Sequence, residues 1–473
     1  MPARKITQFI LACALSAPVP AFAADKPPQL RLEPYAFKLA DGSELAAERG
    51  RFLVPEDRND RSSRKIELGF VRFRSTGARP GPPIVYLAGG PGGSGVATAR
   101  GPRQPLFLEL RKTADVIAFD QRGTGFSNHI EPCTAAKPLD PSETLSEASL
   151  SGYYERTLRT CLAAWRSAGV SVKGYTTEQS ADDLEDLRRA LGARQIDLWG
   201  ISYGTHLAMA AMRRHPRSIR RVALASAEGM DQTVKLPAAV DAALGRIDAA
   251  VGGGLVDRMR RVHARFDAEP QTFSGKTGDG TAFSFRTDAF ALRRMAGAIP
   301  KNPDGIPQLV GGYAALDAGQ YAPLAPLLHD FFYARPLTLS GMPEMMDIAS
   351  GVSAARLDLV RRQAAESLVG TSTNFPMPQL RGAVPGLDLG DTFRREIRSS
   401  HPVLLFSGDL DVRTPLEEQA EATKGLRKLH RVLVRNGGHD LFEAHPEVPG
   451  MLLGFFSGQP VRARELSLPT PKR

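Results

Sequence analysis

Short, almost wholly apolar runs punctuate this chain, and each stops at a turn containing Gly or Asp. They fall at 84–88, 116–119, 196–199, 222–225, 403–406 and 432–434. A strand wet on one face alternates apolar and polar residues. A run that stays apolar throughout suits a central strand covered on both faces, as in a parallel sheet. Ahead of them, residues 31–80 hold strand-like stretches such as 66–71. Segments of helical period separate several runs. The clearest, 180–191, opens on Ser180 and the acidic Asp182-Asp183, spaces Leu184, Leu187 and Leu191 along one face, and stops at Gly192. Another covers 207–214. Alternating strand and helix predict an α/β fold with a mainly parallel sheet flanked by helices.

That rhythm breaks between 229 and 399, where helix-like stretches and Pro/Gly loops take over. The expectation is one core interrupted once: a first part over 24–228, a mainly helical cap inserted over 229–399, and a second core part over 400–473. The Ala- and Arg-rich stretch 354–368 reads as a surface helix of that cap. No internal repeat is visible. Past the N-terminus nothing reaches the about 18 uninterrupted apolar residues of a membrane span, so no stable membrane insertion is expected.

Composition changes this picture at two points. With 473 residues, 42% hydrophobic and 24% charged, the chain is neither disordered nor a small disulfide-stapled module. The net charge of +10 invites a nucleic-acid partner. The basic residues, however, are dispersed as pairs such as Arg213-Arg214, Arg220-Arg221 and Arg361-Arg362, without interleaved aromatics, so none is expected. Residues 1–23 read as a secretory signal: Arg4 and Lys5, an apolar stretch to about Ala17, then Ala21-Phe22-Ala23 before cleavage. A membrane anchor is the alternative, but the stretch is short and broken by Pro18 and Pro20. Cleavage implies a periplasmic or secreted protein. It also removes Cys13 and leaves Cys133 and Cys161 as an even pair in an oxidising space. A disulfide between them is expected, two buried thiols being the alternative.

The chemistry centres on Gly200-Ile201-Ser202-Tyr203-Gly204, a G-x-S-x-G directly after an apolar strand and before a helix. A nucleophilic serine needs a sharp strand-to-helix turn that lifts its hydroxyl clear, and flanking glycines tolerate the crowding. Its base should lie at a strand end, and His439 in Asn436-Gly437-Gly438-His439 follows the last apolar run. His445 reads as surface, and His206 is carried off into a helix. The orienting acid should fall between Ser and His. Asp411 is preferred because it sits further into the loop after 403–406. Asp409 reads as a turn residue capping local N–H groups, and Glu228 is the outside choice. The glycine-rich 88–95 after the first apolar run supplies oxyanion donors, the Gly90 and Tyr203 N–H groups being the natural pair. It lacks the G-x-x-x-x-G-K-[ST] and G-x-G-x-x-G orders of a nucleotide site. No metal-ligand pattern is convincing, and neither metal nor organic cofactor is expected.

Four ordered motifs resemble the prolyl iminopeptidase and tripeptidyl aminopeptidase family of α/β-hydrolase serine peptidases. They are the Gly-Gly-Pro-Gly-Gly-Ser-Gly run at 89–95, Asp120-Gln121-Arg122-Gly123-Thr124-Gly125-Phe126-Ser127, Gly200-Ile201-Ser202-Tyr203-Gly204-Thr205, and Gly408-x-x-Asp411-x-x-Thr414-Pro415. The resemblance implies an α/β-hydrolase fold with Ser202 as nucleophile, Asp411 as acid, His439 as base and Gly90 in the oxyanion loop. It implies a structural role for 120–127. Ala88 stands where prolyl iminopeptidases usually have His, which moves the chain toward the exported tripeptidyl branch, whose cysteine pair Cys133 and Cys161 also resemble. The family further implies that cap carboxylates grip the substrate's free amino terminus; Glu228, Glu344 and Asp347 are the candidates. The expected partner is a peptide with a free N-terminus, and the expected activity that of an exported serine aminopeptidase. A carboxylester or lactone hydrolase with the same triad, and a non-catalytic binding protein on this fold, are the alternatives. The residue preference, the number of residues released and the subunit number stay open.

Overall fold

The computed structural model describes residues 26–472, so the expected signal segment 1–23 lies outside the described residues. Its strands are β1 (Arg31–Lys38), β2 (Glu44–Pro55), β3 (Lys65–Phe73), β4 (Gly81–Leu87), β5 (Ala114–Asp120), β6 (Cys133–Thr134), β7 (Ile196–Ile201) and β8 (Ile219–Ala225). After these come β9 (Gln271–Lys276), β10 (Ala282–Thr287), β11 (Thr338–Leu339), β12 (Ser399–Gly408), β13 (Leu426–Arg435) and β14 (Glu465–Ser467). Ten of them form one sheet in the order β1-β2-β3-β5-β4-β7-β8-β12-β13-β14. Pairing is antiparallel from β1 to β5 and parallel from there on.

The apolar runs are the central strands, and their lack of polar positions has a direct cause. In β4, Val85 and Leu87 face one side, where helices Thr177–Ala190 and Tyr203–Arg214 pack. Ile84 and Tyr86 face the other, against helices Gly95–Arg100, Gln104–Leu110 and Val448–Phe456. Either face would bury a charge, so neither carries one here.

The helix expected at 180–191 begins earlier, at Thr177. Thr176 caps it, its hydroxyl accepting the Gln179 N–H at 3.3 Å, and Ser180 lies buried inside the helix. Between β8 and β12 the chain leaves the sheet and is mostly helical, but it also contains the antiparallel hairpin β9–β10. The apolar core of this segment recruits Leu139, Leu145 and Leu150 from upstream of β7, and the Leu145 N–H donates to Arg286 O at 2.8 Å. The stretch at 354–368 is helical over Ala354–Ala364. It is not purely a surface helix: buried Arg356 pairs with Glu418 and, at 3.0 Å, with Glu421.

Cys133 and Cys161 are joined as a disulfide. Beside it β6 pairs with β11, Cys133 opposite Leu339, which ties the inserted segment to the helix Glu147–Ser167. Among the described residues no helix is long and apolar enough to cross a membrane.

Candidate active site

Ser202 stands between β7 and the helix Tyr203–Arg214 with φ 54° and ψ −128°. A side chain other than Gly's is strained there, as a nucleophile elbow requires. The turn is tight because Gly204 lies against β4: a Cβ on it would come 2.1 Å from Leu87 O, so only glycine fits. The amide of Tyr203 belongs to the first turn of its helix, where N–H groups lack an intrahelical acceptor and the helix dipole is positive. Gly90, at φ 121°, lies in the loop after β4 and shares a cavity with Pro91 and Ser202.

The loop of Gly90 is anchored by the 120–127 motif. Asp120 accepts from Ser94 Oγ at 2.6 Å, from the Val96 N–H at 3.1 Å and from the Phe126 N–H at 2.7 Å. Gln121 Nε2 donates to Ala88 O at 3.1 Å. Fully buried Arg122 makes two 2.7 Å bonds to Asp183.

His439 is buried in the turn after β13, and its Nδ1 lies 3.1 and 3.0 Å from the two carboxylate oxygens of Asp411. Asp411, fully buried, also accepts from the Arg413 N–H at 2.9 Å, the Thr414 N–H at 3.0 Å and Thr414 Oγ1 at 2.6 Å. Burial opposes its ionisation, yet the facing imidazole and these donors prevail and hold its carboxyl below the usual range. Asp411 thus caps the N–H groups of its own turn, and Asp409 also receives a main-chain N–H, that of Asn436. Asp409 lies 3.8 Å from Arg435, its carboxyl raised chiefly by burial. The His439 backbone is gripped from two sides: its carbonyl accepts from Ser226 Oγ at 2.7 Å, and its N–H donates to Lys301 O at 2.8 Å. No hydrogen bond joins Ser202 Oγ to His439 among the described residues.

The cavity at Ser202 measures about 220 Å³ and is walled by core and insertion together. Of the three acids expected to meet an amine, Glu228 and Asp347 line it. Glu344 does not. Its carboxylate turns back to accept the Gly341 N–H at 2.8 Å, closing the first turn of its own helix, Met342–Ser350. Glu228 is ion-paired with Lys235. The Asp347 carboxylate accepts no hydrogen bond from the described residues; burial, with Glu228 adding to it, Lys235 opposing and Glu344 adding again, pushes its carboxyl up to about 8.

The other histidines singled out lie elsewhere. His206 is buried in its helix, its ring nitrogens 2.8 Å from Gly229 O and 3.2 Å from Ser350 Oγ. His445 is partly buried, accepting the Glu447 N–H at 3.2 Å. Sequence reasoning missed Lys235, Arg294, Arg413 and Asn374, which also line the cavity. Nothing in their local patterns marks them; only the folded insertion brings them together.

Comparison with known proteins agrees with this architecture. A family profile described as alpha/beta hydrolase fold matches residues 82–279, and one described as TAP-like protein matches 389–455. Tripeptidyl aminopeptidase of Streptomyces coelicolor is 30% identical over 186 residues, 37% of this chain and 34% of that protein. Serine protease Hip1 of Mycobacterium tuberculosis is 28% identical over 181 residues, 37% of this chain and 35% of that one. The match thus spans about a third of the length of each relative. Among solved structures, epoxide hydrolase A of Mycobacterium thermoresistibile aligns over 84% of this chain and 97% of its own, at 16% identity and a TM-score of 0.39. The chain has the α/β-hydrolase fold, and the curated relatives it matches include proteins named tripeptidyl aminopeptidase, serine protease and putative hydrolase.

Proposed function

We propose that this α/β-hydrolase-fold chain, with its TAP-like C-terminal segment, is an exported serine aminopeptidase that cleaves peptides near a free N-terminus. Ser202 Oγ attacks the scissile carbonyl while His439 takes its proton. Asp411 holds the imidazole by Nδ1 and stabilises its cation. The Gly90 and Tyr203 N–H groups receive the oxyanion. His439 then returns the proton to the leaving amine, and water releases the acyl-enzyme by the same route in reverse roles. No step needs a metal or an organic cofactor. In this reading the core parts 24–228 and 400–473 carry the chemistry and the insertion 229–399 caps it.

The observation that carries the aminopeptidase reading, over a general esterase, is Asp347: a carboxylate without a protein partner in the cavity of Ser202. Lys235 neutralises Glu228, so the pair Glu228–Asp347 has room for one more positive charge. A peptide's α-ammonium supplies it. The small cavity supports a short N-terminal piece rather than a long chain.

The test uses purified protein and aminoacyl-arylamide substrates with free or acetylated amino groups. Ser202→Ala should abolish hydrolysis, and acetylation should remove most of the wild-type rate. Unimpaired turnover by Ser202→Ala would refute the serine mechanism. Equal turnover of free and acetylated substrates would return the chain to the carboxylester or lactone hydrolases.

A further inference from the structure

Two arginines in the same cavity have no role in the chemistry above. Arg294 projects from the inserted helix Ala289–Ala298, and Arg413 lies two residues past Asp411 in the core. Neither forms an ion pair among the described residues. The buried guanidinium groups of this chain are paired, Arg122 with Asp183, Arg356 with Glu418 and Arg394 with Asp388, whereas half-buried Arg213 and Arg265, like Arg294, meet main-chain oxygens. Arg294 has only main-chain oxygens, Phe375 O at 2.8 Å and Ser372 O at 3.4 Å, with its guanidinium 5.1 Å from the Phe375 ring centroid. Burial, opposed by the Tyr154 phenol and reinforced by the charge of Arg413, holds Arg294 below the ordinary guanidinium range. Arg294 is half-buried and Arg413 exposed where they line the cavity, and two like charges in one cleft raise its local affinity for an anion.

This basic pair stands apart from the acidic one. The charges acting on Asp347 are those of Glu228, Lys235 and Glu344, whereas those acting on Arg294 are Tyr154 and Arg413. One cavity is lined by Glu228 and Asp347, by Arg294 and Arg413, and by Ser202.

We propose that Arg294 and Arg413 form an anion subsite that binds a carboxylate of the peptide substrate while Asp347 and Glu228 hold its ammonium. The inference rests on the aminopeptidase reading for the word substrate, but the subsite itself follows from the two unpaired guanidinium groups. A planar, forked guanidinium suits a carboxylate. Two sources carry that chemistry: the C-terminal carboxylate of a very short peptide, or a Glu or Asp side chain close to the scissile bond. Either way the preferred substrates are short and anionic at one end.

The test separates subsite from turnover. Binding of a tetrapeptide to the Ser202→Ala protein is measured by calorimetry with the C-terminus as acid or amide, and with Glu or Gln at each position. One acid form should bind about 10- to 100-fold more tightly than its neutral counterpart, the range for charge-assisted hydrogen bonds. A C-terminal effect identifies the terminal carboxylate, and a Glu effect the side chain. Adding Arg294→Gln or Arg413→Gln should collapse that ratio toward one. Each ratio is taken within one protein, so a general loss of affinity cancels. Equal binding of acid and neutral forms overturns the subsite, as does a ratio that survives both arginine replacements. If acid forms are favoured but wild-type protein hydrolyses no peptide, the subsite stands and the peptidase reading falls.

Discussion

Replacing Asp347 with Asn separates two consequences of one carboxylate. Its carboxyl is pushed up to about 8 in the folded chain, whereas an unfolded Asp titrates near 3.9. Between those values the unfolded chain gives up a proton that the folded chain keeps. Stability from this group is therefore complete below about pH 4 and is lost as pH rises through about 8. At about 1.4 kcal/mol per pH unit the loss has an upper bound near 6 kcal/mol, and partial solvent access reduces it to a few. Asn does not ionise. Asp347→Asn should melt close to wild type at pH 4–5 and at a higher temperature at pH 8–9, by the equivalent of roughly 2–4 kcal/mol.

Binding should move the opposite way. At pH 7 a group titrating at about 8 is ionised in about one molecule in eleven, a cost of about 1.4 kcal/mol to an ammonium that needs the anion. Wild-type KM for free-amine peptides should thus fall from pH 6 toward pH 8. It should rise again as the substrate's own α-amino group, near 7.7–8.0, loses its proton. Asp347→Asn should lose the acidic limb and raise KM by about 30-fold or more, since an unmatched buried charge costs about 2–5 kcal/mol. The assays are melting temperature over pH 4–9 and KM over pH 6–9. A melting difference that does not change with pH, or a KM profile that keeps its acidic limb in the variant, would refute the reasoning.

Asp411→Asn should keep the fold but lower kcat by about 10⁴-fold, because the amide can no longer select the imidazole tautomer with hydrogen on Nδ1; stopped-time assays at saturating substrate read it. Asn302, in the inserted segment, accepts the Asp440 N–H at 2.9 Å and donates to Asp440 Oδ2 at 3.0 Å, bracing the residue next to His439. Asn302→Ala should cost about 1–2 kcal/mol of stability by denaturant titration and lower kcat while KM holds. Replacing Cys133 and Cys161 together by Ser opens a loop with a separation of 28 residues and should destabilise the chain by about 3 kcal/mol, read from denaturant midpoints under non-reducing conditions.

The sheet could be read from the chain because burial on two faces leaves a strand few polar positions, and buried Asp197 in β7 is allowed by its pairing with Arg220. The serine elbow was legible for a related reason: Gly200, Ser202 and Gly204 answer a steric demand local to five residues. Helix Thr177–Ala190 was misread at its start because Thr176 and Ser180 can both cap, and only packing decides that Ser180 goes inside. The hairpin β9–β10 did carry a signal, Phe273 and Phe285 meeting across a Gly278-Asp279-Gly280 turn, but its setting in a helical segment masked it. Asp409 and Asp411 are both polar turn residues after the same strand, so local pattern alone could not assign their tasks. Lys235, Arg294 and Arg413 were illegible in principle. They lie far apart in a chain rich in arginine, and their meaning arises from a shared cavity.

That division has a structural cause. The loops at the carboxyl ends of β4, β7, β8 and β12 carry Gly90, Ser202, Glu228 and Arg413, the edge where open parallel sheets place their ligands. The inserted segment leaves at the end of β8 and returns into β12, and these two strands pair with each other. Its two attachments are thus neighbours in the sheet, at the centre of that edge, and a segment so rooted has to stand over the elbow. It is also pinned at its far sides. Asn302 and Lys301 hold the turn of His439, Arg246 donates to Asp409 O and pairs with Glu417, and Arg356 pairs with Glu418. In the proposed reading the nucleophile, base and acid ride on core loops, with the turn of His439 braced by the insertion. Asp347 and Arg294 from the insertion join Glu228 and Arg413 from the core in holding the ends of a peptide. On that reading core and insertion share the holding of substrate, and Lys301–Asn302 is the contact through which the insertion reaches the base.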